Sequence, residues 1–245
     1  MTLFLSRIVL DPRSRAVRRD LADCAAMHTT VMSAFPENDG PARAAFGVLH
    51  RVDPHPRGGP SALLVQSRVE PDWSRLPAPD YALRLPGQEN PSVKPIDAAY
   101  DAIVAGDVLR FRLRANPTRR LDARRVSSET DHLAGKRVAL LTDDERLTWL
   151  RRKAETVGID LLAVRQAPDV LDVLVAPGGV VTGRRPGSAR GLAFAAVRFD
   201  GHLRVTDPAA LRRAIEDGIG PAKAYGFGLL SVATTGAGAA EGVVP

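Results

Sequence analysis

Two tandem ferredoxin-like domains of the α+β class, RRM-like in their order of elements, are what this sequence predicts. Two observations carry the prediction. Each half of the chain offers a strand, a helix and further strands in an order that suits a split β-α-β unit. A polar Pro/Gly-rich stretch at 85–95, LPGQENPSVKP, separates the halves. The expected domains are therefore 1–90 and 97–235, followed by a flexible tail of small residues at 236–245. No internal sequence repeat accompanies the two units, and the first half offers no clear second helix.

In the first half, residues 2–10 are apolar or β-branched and read as a strand. Residues 16–35 read as one helix, with Val17, Leu21, Cys24, Val31 and Phe35 on its apolar face. Residues 46–51 and 62–69 read as strands, and 81–85 as a weaker one. In the second half, 107–115 is a strand, 118–135 a basic loop and 137–141 a short strand. Thr142 and Glu145 form the signature of a capping box, which opens a helix that stops at Gly158. Strands are expected at 159–164, 170–175 and 192–199, then a turn at Asp200-Gly201 and a strand at 202–205. Asp207 caps a helix with Pro208 at its first position and Gly218 past its end. Residues 227–233 close the unit.

The chain has 245 residues, 44% of them hydrophobic and 25% charged, an ordinary globular balance. It contains no apolar run of membrane-spanning length and no evident leader, so a cytoplasmic protein is expected. Cys24 is the single cysteine, which excludes an internal disulfide and a cysteine-based zinc cluster; its apolar register reads as core. The net charge is +6, with arginine far exceeding lysine, and favours polyanionic partners. No HExxH, paired carboxylates or His/Cys cluster suggests a metal, and no cofactor is expected.

Four features could carry chemistry. Arg110, Arg112 and Arg114 alternate along one strand face, with Asn116, Arg119, Arg120, Arg124 and Arg125 following. They are either a solvated basic face or a backbone track for RNA. Aromatics make up only 5% of the chain and none interrupts these arginines, so a track would suit duplex or hairpin RNA rather than stacked single strands. Arg184, Arg185 and Arg190 lie at a glycine-flanked hairpin tip, a solvated loop or an arm for a nucleic-acid groove. Gly218, Gly220, Gly226 and Gly228 surround Lys223, and are either helix-capping glycines or a backbone cradle for phosphate. The absence of G-K-[ST] excludes a nucleotide P-loop. His28 shares the helix register of Cys24 and Val31, and is either a partly buried core histidine or a general acid–base group.

The segments AMHTTVMSAFP, LLVQSRVEPDW, LRFRLRANPTR, DDERLTWLRRKAE and GIGPAKAYGFGLLSVA, in this order, resemble CasE, the CRISPR RNA-processing endoribonuclease of type I-E Cascade. The resemblance spans most of residues 1–233. It implies two ferredoxin-like domains, recognition of the repeat RNA hairpin, retention of the mature crRNA and assembly with other Cascade subunits. It also implies metal-independent attack of a ribose 2′-OH on its own 3′ phosphate, leaving 2′,3′-cyclic phosphate and 5′-OH ends. His28 matches the family's catalytic histidine. Some members place a tyrosine one helical turn earlier, where this chain has Ala25, so the alternative is a non-catalytic RNA-binding subunit of the same complex.

Overall fold

The computed structural model describes residues 2–121 and 135–235. The first unit contains β1 (Phe4–Val9), α1 (Arg15–Ala22), α2 (Cys24–Ser33), α3 (Ala42–Ala45), β2 (Leu49–Asp53), β3 (Ala62–Ser67) and β4 (Ser92–Pro95). Its strands are antiparallel in the order β2-β3-β1-β4. The second unit contains α4 (Asp97–Asp101), β5 (Val108–Ala115), β6 (Thr118–Arg120), β7 (Arg137–Ala139), α5 (Asp143–Thr156), β8 (Ile159–Leu161), β9 (Ala163–Val164), β10 (Ala167–Leu171), β11 (Val173–Arg184), β12 (Gly191–Val205), α6 (Pro208–Asp217) and β13 (Leu230–Thr234). Its main sheet runs β11-β12-β5-β13, with β8 beside β12. With β11 and β12 as its second and third strands, this sheet repeats the 2-3-1-4 order of the first, so both units are ferredoxin-like.

Several expectations need correction. The helix read at 16–35 is two helices, broken at Asp23, whose backbone is extended (φ −134°, ψ 108°). The apolar period continues through the break and hides it. The Asp23 carboxylate offsets the cost of the break by accepting the N–H groups of Ala25 and Ala26 at 2.8 and 3.2 Å. Leu21, assigned to the apolar face, is 47% exposed. The strand read at 46–51 starts only at Leu49, after α3. Residues 81–85 contribute a single bridge, Leu10 to Ala82. The fourth strand is β4, inside the stretch read as the connection, so the first sheet extends to Pro95. Its proline suits an edge, where one ladder side lacks a partner.

In the second unit, the loop read at 118–135 contains β6, which pairs with β7. Arg124 and Arg125 lie outside the described residues, as does the tail at 236–245. No turn occurs at Asp200-Gly201, because β12 runs straight through it. A Cβ on Gly201 would collide with the Asp172 carbonyl oxygen and stand 3.1 Å from the Phe111 ring, so glycine there serves a close approach. The capping box at Thr142 and Glu145 is present, and α6 begins on Asp207 and Pro208 as expected.

The two units are joined by buried polar contacts. Arg51 on β2 has no exposed surface. It holds Asp53 through two bonds of 2.8 and 2.9 Å, and donates to the carbonyls of Arg112 (3.4 Å) and Leu229 (3.2 Å) in the second unit. Gln66 on β3 donates to the Ile215 carbonyl at 2.7 Å. Without these carbonyls the buried guanidinium and amide would lack acceptors away from water, so the contacts favour this placement of the units. Among the described residues no helix is long and apolar enough to cross a membrane.

Candidate functional site

Helix α2 turns Met27 and Val31 into the first core and leaves His28 half-buried at its edge. The His28 ring meets Tyr225 edge-on, with centroids 6.0 Å apart and planes at 67°. Burial pushes its pKa below the ordinary histidine value, and the charges of Arg43 and Arg185 push in the same direction. His28 is therefore neutral at neutral pH, with one nitrogen free to accept a proton. Cys24, one turn earlier, is buried, as its register predicts.

His50 on β2 lies behind it, 2% exposed. Its pKa falls to about 3, chiefly through burial and then through His28, Arg114 and Arg43. Gly226 packs against this pair. Its backbone is left-handed (φ 83°), and a Cβ there would stand 3.5 Å from both His50 Nε2 and Arg114 Nη1. A cavity of about 480 Å³ opens between these elements, lined by Cys24, His50, Arg114, Val181 and Tyr225 among others.

The basic hairpin exists, formed by the end of β11 and the start of β12, and it is docked on α2. Both oxygens of Asp23 lie 3.3 Å from the Arg184 backbone N–H, so the residue that caps the helix also grips the hairpin. Gly183 makes the approach possible, since a Cβ there would stand 2.7 Å from both Asp23 Oδ1 and Cys24 Sγ. Arg184, Arg185 and Arg190 are all exposed. Arg185 donates from Nε to the Tyr225 hydroxyl at 2.6 Å.

The arginines of β5 do not form a uniform track. Arg110 is exposed and pairs in register with His202 on β12, whose Nδ1 lies 2.7 Å from Asp172. Arg112 lies 2.5 Å from Asp200 and 3.8 Å from Asp53, so the anion across this part of the face is the protein's own carboxylate. Arg114 is half-buried, its guanidinium 5.1 Å over the Phe227 ring. Asn116 is buried, and Arg119 is exposed 3.9 Å from Glu145.

Nor are all the loop glycines free to cradle a phosphate. The Gly218 N–H bonds the Ala214 carbonyl, and the Gly228 N–H bonds that of Arg114. Added Cβ atoms would meet Leu49 at 2.8 Å from Gly218, Trp149 at 3.1 Å from Gly220 and the Ile219 carbonyl at 3.0 Å from Gly228. These three glycines let the loop pack tightly against β2 and α5. Lys223 is half-buried, and burial lowers its pKa.

The sequence names His28 and Arg185 as candidates, but Asp23, Arg43, His50 and Tyr225 become their neighbours without being named. Asp23 inside an apolar helical period is the one usable signal, because aspartate caps helices better than it fills them. His50, Arg43 and Tyr225 reach His28 only through the fold. Among the described residues no cluster of three His, Cys, Asp or Glu side chains has the arrangement to hold a metal ion.

A family model described as CRISPR associated protein matches residues 3–234. The chain is 38% identical over 235 residues to the CRISPR-associated endoribonuclease Cse3 of Thermus thermophilus, covering 94% of this chain and 100% of that protein. It is 31% identical over 131 residues to the Cascade subunit CasE of Escherichia coli, covering 52% of this chain and 59% of the relative. A structure of Cse3 bound to a 19-nucleotide RNA superposes with a TM-score of 0.75, at 38% identity over 95% of this chain and 100% of that one.

Proposed function

This chain belongs to the CRISPR-associated protein family, in the CasE group, and from that premise we propose that it is a metal-independent endoribonuclease. It works in the cytoplasm, cuts CRISPR precursor RNA within the repeat hairpin, and keeps the mature crRNA as a Cascade subunit. The observation that carries this reading is His28, neutral and half-buried between Arg43 and Arg185 where the basic hairpin docks. An imidazole there accepts the proton of a ribose 2′-OH. The 2′ oxygen then bonds to the adjacent phosphorus, and the bond from phosphorus to the 5′ oxygen breaks. That oxygen takes up a proton, leaving a 2′,3′-cyclic phosphate and a 5′-OH. Arg185 faces the negative charge that builds on the phosphate, while Arg184, Arg190, Arg110, Arg119 and Lys223 contact the backbone of the hairpin.

The test is His28→Ala, assayed on a repeat hairpin in EDTA. Single-turnover cleavage should fall by at least about a hundredfold, the low end of acid–base catalysis, with hairpin affinity and melting temperature nearly unchanged. In the parental protein, the rate should fall on acidification only below the ordinary histidine range, because the His28 pKa is lowered. Cleavage by the variant at the parental rate would remove His28 from the site. Ala25 supports one alternative, a non-catalytic RNA-binding subunit: it is buried and supplies no proton-transfer group beside His28. An intact hairpin after incubation with the parental protein would favour that alternative.

A further inference from the structure

We infer that Tyr225 is a positioning residue of the cleavage site: its ring seats the His28 imidazole while its hydroxyl holds Arg185 beside it. This rests on the reading that His28 cuts RNA. Tyr225 is buried, and its ring stacks on Phe194 with centroids 5.2 Å apart and planes at 21°. Its contact with His28 is edge-on, and the guanidinium of Arg185 lies 5.6 Å from the ring centroid. None of this packing needs a hydroxyl, and phenylalanine would serve. The hydroxyl instead accepts the Nε–H of Arg185 at 2.6 Å. An arginine on an exposed, glycine-containing hairpin otherwise samples many rotamers. Anchoring it through Nε fixes the plane of the fork and leaves the terminal N–H groups for a phosphate.

The backbone and the helix below fit the same role. Tyr225 ends a short 3₁₀ turn, Lys223–Tyr225, bracketed by two left-handed residues, Ala222 (φ 63°) and Gly226 (φ 83°). Alanine in that region is strained, and such strain persists only where the surroundings impose it. Below the ring, Cys24 and Ala25 pack in the same cluster as Tyr225 and Phe227. The small side chain at position 25 leaves room for the ring, so the C-terminal loop supplies a hydroxyl where α2 has none.

Tyr225→Phe tests this in the full chain, on a CRISPR repeat hairpin under single-turnover conditions. It keeps the ring and frees Arg185. We expect cleavage to fall about tenfold to a hundredfold, the scale of a misplaced catalytic group. Hairpin affinity and melting temperature should stay at parental values. The pH profile gives a readout that a packing role would not move. The charged groups that act on His28 are Arg43 from α3 and Arg185 from the hairpin, with His50 of β2 behind it, Arg114 beside His50 and Lys223 near Arg43; Asp23 at the start of α2 bonds the Arg184 backbone, and Arg19 and Asp20 of α1 pair with each other. Arg43 and Arg185 both disfavour the imidazolium, so freeing Arg185 should move the acid limb of the rate profile to higher pH. In an Arg185→Gln background Tyr225→Phe should cost nothing further, since the hydroxyl then has no guanidinium to hold. If Tyr225→Phe melts early, Arg185→Lys carries the test from the exposed side, because it keeps the charge and loses the Nε–H that the hydroxyl holds. A parental rate with an unmoved acid limb, or additive losses in the double variant, would overturn the inference. Parental cleavage by His28→Ala would instead overturn the cleavage reading itself.

Discussion

Two groups of arginines in the second unit share a density of charge and differ in what balances it. On β5, Arg112 is held by Asp200 and Asp53, and Asp200 is shared with Arg198 at 2.6 Å. Asp53 in turn pairs with the fully buried Arg51. This is a lattice of internal ion pairs that ties the two sheets together. On the hairpin, Arg184, Arg185 and Arg190 stand in solvent, and the carboxylate that meets the hairpin, Asp23, bonds a backbone N–H rather than a guanidinium. None of the three pairs with a carboxylate among the described residues. Regular spacing of cations on a strand therefore does not reveal a phosphate track, because carboxylates from elsewhere in the fold can already occupy the face.

Loss of charge at the hairpin should change RNA binding most. Replacing Arg184, Arg185 and Arg190 together by alanine should flatten the salt dependence of RNA-hairpin binding by roughly 0.9 in log–log slope for each phosphate no longer neutralised. Three such phosphates would reduce the slope by nearly three, with a matching fall in affinity at low salt. Titrations at several salt concentrations read the slope directly. A slope equal to that of the parental protein would mean the hairpin does not meet RNA.

Arg112→Ala should do the reverse. It leaves Asp200 and Asp53 each with one remaining arginine, so the cost is that of a charge-assisted hydrogen bond, about 1.5 kcal/mol for a side chain a third exposed. For a chain of this size that lowers the melting temperature by roughly 3–6 °C. The salt slope should hardly change. A large drop in slope with an unmoved melting temperature would assign Arg112 to RNA after all.

The same contrast explains what is legible in the sequence. Local signals survive: the capping box at Thr142, the Asp207-Pro208 start of α6, the alternation Leu109-Arg110-Phe111 on β5 and the hairpin at 184–191 all depend on neighbours a few residues away. The misses depend on distant partners. Gly201 reads as a turn because aspartate-glycine favours turns, yet its reason is the Asp172 carbonyl against it. Arg51 reads as an ordinary strand residue, and only the second sheet explains its burial. His28 is identifiable from its helix and family pattern, whereas Tyr225, almost two hundred positions away, becomes its neighbour only once both units are folded.

Arg110 should matter least to stability, yet it decides whether RNA reaches the sheet. Arg110 stands on the same strand face as Arg112, two residues earlier, but it is exposed and forms no carboxylate pair among the described residues that would mark it as part of the lattice. Its neighbour across the ladder is His202, whose partner is Asp172. Replacing Arg110 by alanine should therefore leave the melting temperature nearly constant, since exposed positions usually change stability by less than about 0.5 kcal/mol. If the RNA backbone runs along this end of β5, the salt slope should drop by about 0.9, the value of one phosphate. A change in slope without a change in stability would extend the RNA-binding surface from the hairpin onto the sheet. No change in either would confine that surface to the hairpin and the rim of the His28 site, and leave the arginines of β5 as elements of the fold.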